Sequence, residues 1–109
     1  MASSQDYLDY VMEQLSELDD ISSRPMMGEF IIYYKDKIIG GIYDNRFLVK
    51  STRSSLKMMP DAEKQFPYEG AKEMLAITDI EDKKFLNKLI NTMYDELPAV
   101  KKKTRSKSI

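Results

Sequence analysis

Apolar residues recur at spacings of three and four near the start of the chain. Leu8, Val11, Leu15 and Leu18, flanked by Tyr7 and Met12, predict an amphipathic helix over residues 4 to 19. Ser3 or Ser4 can accept from its first free N–H groups, and Ser3 with Asp6 has the spacing of a capping box. Asp6 and Asp9 suit the positive end of the helix dipole, whereas Asp19 and Asp20 oppose its negative end and mark the stop.

The period then changes to two. In GEFIIYYKDK, Phe30, Ile32 and Tyr34 point one way and Ile31 and Tyr33 the other. KDK at 35 to 37 is a short polar turn, KIIGGIY resumes the strand pattern, and Asp44-Asn45 tolerates left-handed φ. RFLVK completes an antiparallel meander of three strands. Both of its faces are apolar, so one is expected to carry helices and the other to meet something else. Gly40 and Gly41, inside a strand pattern, point to a bulge or a close backbone approach; a helix crossing tightly over the sheet is the favoured explanation.

Ser51 or Thr52 begins a short second helix, SLKMM, which Pro60 stops. DAEKQFPYEG is a loop with room for a short strand at Phe66 to Tyr68, and KEMLAIT is a further strand. Thr78 and Glu81 have capping-box spacing, and Phe85, Leu86, Leu89, Ile90, Met93 and Leu97 form the stripe of a last helix that Pro98 ends. The expected architecture is α+β: an antiparallel sheet of four to five strands with helices packed on it. Residues 1–97 form the domain, and 98–109 are expected to be a disordered basic tail.

Composition removes much chemistry. The 109 residues include no cysteine and no histidine. Disulfides, thiolate catalysis, Ser-His triads and tetrahedral zinc centres are therefore out of reach. A catalyst would need a buried carboxylate or lysine with a strongly perturbed pKa, which one small core scarcely accommodates. The expectation is a protein that is not an enzyme and uses no cofactor and no metal. No run approaches the roughly 18 to 20 apolar residues of a membrane span. MASSQDYLDY lacks the pattern of a secretory signal, so a cytoplasmic protein is expected. Charge is divided unevenly: residues 1–97 hold 12 basic against 18 acidic side chains, or −6, and the last segment adds five cations.

Four features are candidates for function. Arg24, Met26, Met27 and Gly28 could form a partner or anion site, with Arg24 a bidentate donor beside adaptable methionines. The plainer alternative pairs Arg24 with Glu29 or Asp44 and sinks the methionines where the first helix meets the sheet. DIED at 79 to 82 has the oxygens of a hard-metal site but not the spacing, and a helix start explains it better. Seven tyrosines, Tyr33 among them, are many for this length and favour cross-strand packing with a protein-contact surface over base stacking. Lys101, Lys102, Lys103, Arg105 and Lys107 in the tail could add weak, salt-dependent contact with DNA.

RPMMG, the tyrosine-rich strand, IIGGIYD, RFLVK and then PYEGAKEMLAI before a closing helix resemble, in this order, the N-terminal domain of the TfoX/Sxy competence regulators of bacteria. Arg24, Met26 and Gly28 match that family's first motif, with Met27 where an aromatic is usual. Asp44, Leu48 and Lys50 match its second loosely. The resemblance spans roughly residues 3 to 97. It implies a secretion-chaperone-like α+β domain of order α-β(3)-α-β(2)-α, no enzymatic activity, and a role in transcription regulation. Its partner would be a protein, either a transcription factor or an RNA polymerase component, and a homodimer is compatible with it. Arg24, Met26, Met27, Gly28 and Tyr33 are the expected partner-binding residues.

Overall fold

Ser4 caps the first helix: its hydroxyl accepts from the N–H of Tyr7 at 3.1 Å. In the computed structural model, which describes residues 3–98, that helix is α1 (Gln5–Gln14). β1 (Ile21–Met26), β2 (Glu29–Tyr34), β3 (Lys37–Ile42) and β4 (Phe47–Lys50) follow. Then come α2 (Arg53–Met58), β5 (Lys64–Gln65), β6 (Met74–Ala76) and α3 (Lys83–Tyr94). All strands join one six-stranded antiparallel sheet in the order β1-β2-β3-β4-β6-β5.

The expected α+β architecture is therefore present, with one strand more than anticipated. The addition is β1, ISSRPM, which pairs with β2 from Ile21↔Tyr34 to Met26↔Glu29. It carries no apolar alternation, and none of its residues is fully buried. As an edge strand it also tolerates Pro25, which has no N–H to offer a ladder. The short strand before β6 lies at Lys64–Gln65, not at residues 66 to 68. Helical boundaries move as well. α1 ends at Gln14, and Leu15 and Leu18 reach the core from the tighter turns beyond it. α3 is capped by Asp82, whose carboxylate accepts from Phe85 N–H at 3.1 Å, so the Thr78–Glu81 box is not used. α2 does carry a full capping box, built by Thr52 and Ser55.

Two hairpin turns place consecutive residues at positive φ. Met27 (φ 53°) and Gly28 (φ 86°) join β1 to β2; Asp44 (φ 54°) and Asn45 (φ 55°) join β3 to β4. Such two-residue turns match the right-handed twist of the flanking strands. Between β2 and β3, Ile32 pairs with Gly40 and Tyr33 with Ile38, so Ile39 is the extra residue of a bulge. The glycines are crowded by their neighbours in the sheet, not by a crossing helix. A Cβ on Gly40 would lie 2.1 Å from the Leu48 carbonyl oxygen, and one on Gly41 would meet the Tyr43 ring at 2.7 Å.

Ile32, Tyr34, Ile39, Ile42, Phe47 and Val49 project from the sheet into the main core. They meet Leu8, Val11 and Leu15 from the first helical region and Leu86, Leu89 and Ile90 from α3. Burying each such side chain contributes about 1.5–3 kcal/mol. A second, smaller cluster of Tyr43, Leu48 and Met74 lies apart from it. By strand alternation it belongs to the opposite face. No helix among the described residues is long and apolar enough to cross a membrane.

Candidate interaction face

Alternation along paired strands defines the face that no helix of the described residues covers, called the uncovered face below. Arg24 pairs with Ile31, Tyr33 with Ile38, Gly41 with Leu48, and Lys50 with Met74. Partners in register share a face, so one continuous surface runs from β1 to β6.

Its outer edge holds the residues picked out in the sequence. The Arg24 guanidinium lies 5.9 Å from the centroid of the Tyr33 ring, which is two residues beyond its register partner Ile31 and on the same face. Contact of this kind is worth about 0.5–1 kcal/mol when exposed. The alternative pairing of Arg24 with Glu29 or Asp44 is not what forms. Glu29 Oε1 instead accepts from the Ser3 hydroxyl at 2.5 Å and from Asp44 N–H at 3.1 Å. Ser3 in turn accepts from Asn45 N–H at 2.9 Å, and its own N–H donates to the Gly28 carbonyl at 2.9 Å. The start of the chain thus ties the two hairpin turns together. Met27 and Gly28 sit in the first of these turns, and Met27 is 97% exposed, so it fills no core gap. Met26 is half-buried on the uncovered face.

Behind that edge the face hollows into a cavity of about 930 Å³. Met26, Ile31, Ile38, Tyr43 and Met74 supply its apolar lining. The segment before β6 forms one wall with Pro67, Tyr68, Ala71, Lys72 and Glu73, and Tyr43 and Tyr68 pack with ring centroids 6.2 Å apart. Lys50, Ser51, Thr52 and Arg53 line another side, with Glu96, Leu97 and Pro98. Burial first, and the like charge of Lys72 second, hold the Lys50 ammonium below the usual lysine range. Among the described residues no hydrogen bond or ion pair reaches that ammonium.

Other tyrosines serve as pins. Tyr34 donates to Asn91 Oδ1 at 2.8 Å and Tyr94 to Asp36 at 2.7 Å, while Lys37 lies 4.1 Å from the Tyr94 ring centroid. Tyr10 donates to Glu81 at 2.7 Å, which together with the Asp82 cap gives DIED a structural role. The described residues contain no group of three or more Asp or Glu placed to hold a metal ion. Lys101, Lys102, Lys103, Arg105 and Lys107 lie outside the described residues.

Reading the sequence alone singled out the Arg24–Gly28 edge and Tyr33 but missed the cavity. Lys50 and Lys72 are far apart in sequence and meet only because β4 pairs with β6. The alternation in RFLVK does put Leu48 and Lys50 on one face, a signal that adds to their loose match with the family's second motif.

No family model matches the chain. It is similar to an uncharacterized 12.7 kDa protein in the trpE 5′ region of Spirochaeta aurantia, with 29% identity over 110 residues, covering 99% of this chain and 96% of that protein. No solved structure matches significantly.

Proposed function

We propose that the chain is a non-catalytic regulatory module that works by protein contact, of the kind formed by the N-terminal domain of the TfoX/Sxy regulators. One observation carries this reading. Met27 is 97% exposed, in a left-handed conformation that bulky residues avoid, at a turn braced by Glu29 and Ser3. A turn built for stability alone would hold Asn or Asp before Gly28. An apolar side chain kept in water at a conformational cost suits a contact residue, with Arg24 on Tyr33 beside it. The order of RPMMG, IIGGIYD, RFLVK and PYEGAKEMLAI supports the same reading. The partner class it implies is a transcription factor or a component of RNA polymerase, and the location it implies is the cytoplasm.

The test is affinity purification of the tagged full chain from its own cells, beside an Arg24→Ala/Met27→Ala variant. A transcription factor or polymerase subunit should co-purify with the first and not with the second. Equal recovery with both, or recovery of neither class, overturns the proposal.

A second reading, an accessory nucleic-acid-binding protein, rests on the five cations and the absence of acidic side chains in KKKTRSKSI. Replacing Lys101, Lys102, Lys103, Arg105 and Lys107 by glutamine should then abolish duplex-DNA binding that already weakens steeply with salt. Binding that survives the replacement rejects it.

A further inference from the structure

We propose that the cavity on the uncovered face binds a small amphipathic carboxylate, a single anionic group on an apolar body. At about 930 Å³ the cavity lies in the size range of small-molecule sites, roughly 300–1,000 Å³. Such sites combine an apolar lining with a few polar groups that orient the ligand. Here Ile31, Ile38, Tyr43 and Met74 provide the lining. The Tyr43 ring lies directly over Gly41, where any side chain would displace it.

Lys50 is the orienting group. It is half-buried on β4 beside Met74, and among the described residues its ammonium has no carboxylate and no carbonyl to donate to. Lys72 lines the same cavity and adds a like charge. A ligand carboxylate between the two lysines would relieve that repulsion and supply the missing acceptor. Burial and the neighbouring cation also lower the affinity of Lys50 for its proton, and a bound anion would restore it.

The lining sets the charge of the ligand. Lys50, Arg53 and Lys72 face Glu73 and Glu96, so three cations are set against two carboxylates. Glu96 is already engaged by the Ser54 hydroxyl at 2.6 Å and N–H at 3.0 Å. The surplus of one positive charge fits a monoanion, whereas a polyphosphate would meet Glu73. Residues 99–109 follow Pro98 at the edge of the cavity, but their five cations and lack of acidic side chains do not complement Lys50. Met26 belongs to this lining and to the expected contact edge, whereas Arg24 and Met27 lie outside the lining, so substitutions at Arg24 and Met27 separate the two proposals.

The experiment titrates the full-length protein with octanoate, and separately with 1-octanol, while following backbone amide resonances. Octanoate should shift Gly41, Lys50 and Met74 saturably and leave α1 unmoved. Octanol should bind about ten-fold more weakly, because it lacks the charge-assisted hydrogen bond. Lys50→Met should weaken octanoate by about the same factor and leave octanol unchanged. Lys72→Met, at an exposed position where folding is not at stake, should weaken octanoate by about three-fold. Equal affinities for octanoate and octanol overturn the proposal. So do octanoate affinities that neither lysine substitution changes, shifts that map to the helical face, or no saturable shift at all.

Discussion

Along β2, Phe30, Ile32 and Tyr34 face the helices while Ile31 and Tyr33 face away from them, and the two sets have different fates. On the helical side, Leu86, Leu89, Ile90 and Met93 complete the packing and Ile32 is fully buried. On the other side Tyr43, Leu48 and Met74 form a small buried cluster, with Tyr68 packed against Tyr43. Ile31, Tyr33 and Ile38 are left half-buried. An apolar sheet face without a helical layer has given up a stabilising contact. Apolar surface left in this way is what both proposals above would use.

Both faces depend on the same strand pairing, and damage there should have the largest effect. Gly40→Ala drives a methyl into the Leu48 carbonyl, and the strands must separate or unfold. The expected loss is about 3 kcal/mol or more, read as a large fall in the denaturation midpoint. Leu89→Ala, on the fully buried helical side, should cost about 2–5 kcal/mol in the same assay.

Ile38→Ser, on the uncovered face, should cost less than about 1 kcal/mol, in the range of surface substitutions. A loss as large as that of Leu89→Ala would mean that the face is core and not a site. Met27→Asn creates the favoured Asn-Gly turn and should stabilise by about 0.5–1 kcal/mol. It should also lower recovery of the protein partner. Stabilisation without loss of the partner would remove Met27 from the contact.

The smallest effect is a pH dependence. Hydrogen bonds from the Ser54 hydroxyl and N–H hold the Glu96 carboxyl below its ordinary 4.5. Because the folded value lies below the unfolded one, the contribution is fully present above the unfolded pKa. It is lost as pH falls through the folded pKa. Glu96→Gln should therefore flatten the fall in stability below pH 4.5, measured by denaturation at a series of acidic pH values. An unchanged acid limb would show that this link between α2 and the end of α3 adds nothing.

The alternation in GEFIIYY and RFLVK, the heptad-like spacing of Leu8 to Leu18, and the stripe from Phe85 to Leu97 were enough to predict an α+β domain with an antiparallel sheet. Asp44-Asn45 as a turn, and a short helix begun by Ser51 or Thr52 and stopped before Pro60, were legible for the same reason, the cap being Thr52. Each depends on residues a few positions apart. β1 was not legible, because ISSRPM earns its place by pairing with β2 and not by burying a face of its own.

The site divides in the same way. Arg24 to Gly28 stand together in sequence and were recognised together, although what Arg24 touches was not. The Tyr33 ring reaches it across the β1–β2 ladder, while Ser3 engages Glu29, one of the two carboxylates offered as its alternative partners. The cavity belongs wholly to tertiary structure. Ile31, Lys50 and Met74 come from three strands, and Lys72 from the loop before β6. Apolar positions, turns and every element except β1 follow from local periodicity and backbone preference, and so were readable along the chain. That no helix of the described residues covers one face of the sheet, and that two lysines line one cavity there, depends on long-range pairing and on which side the helices pack.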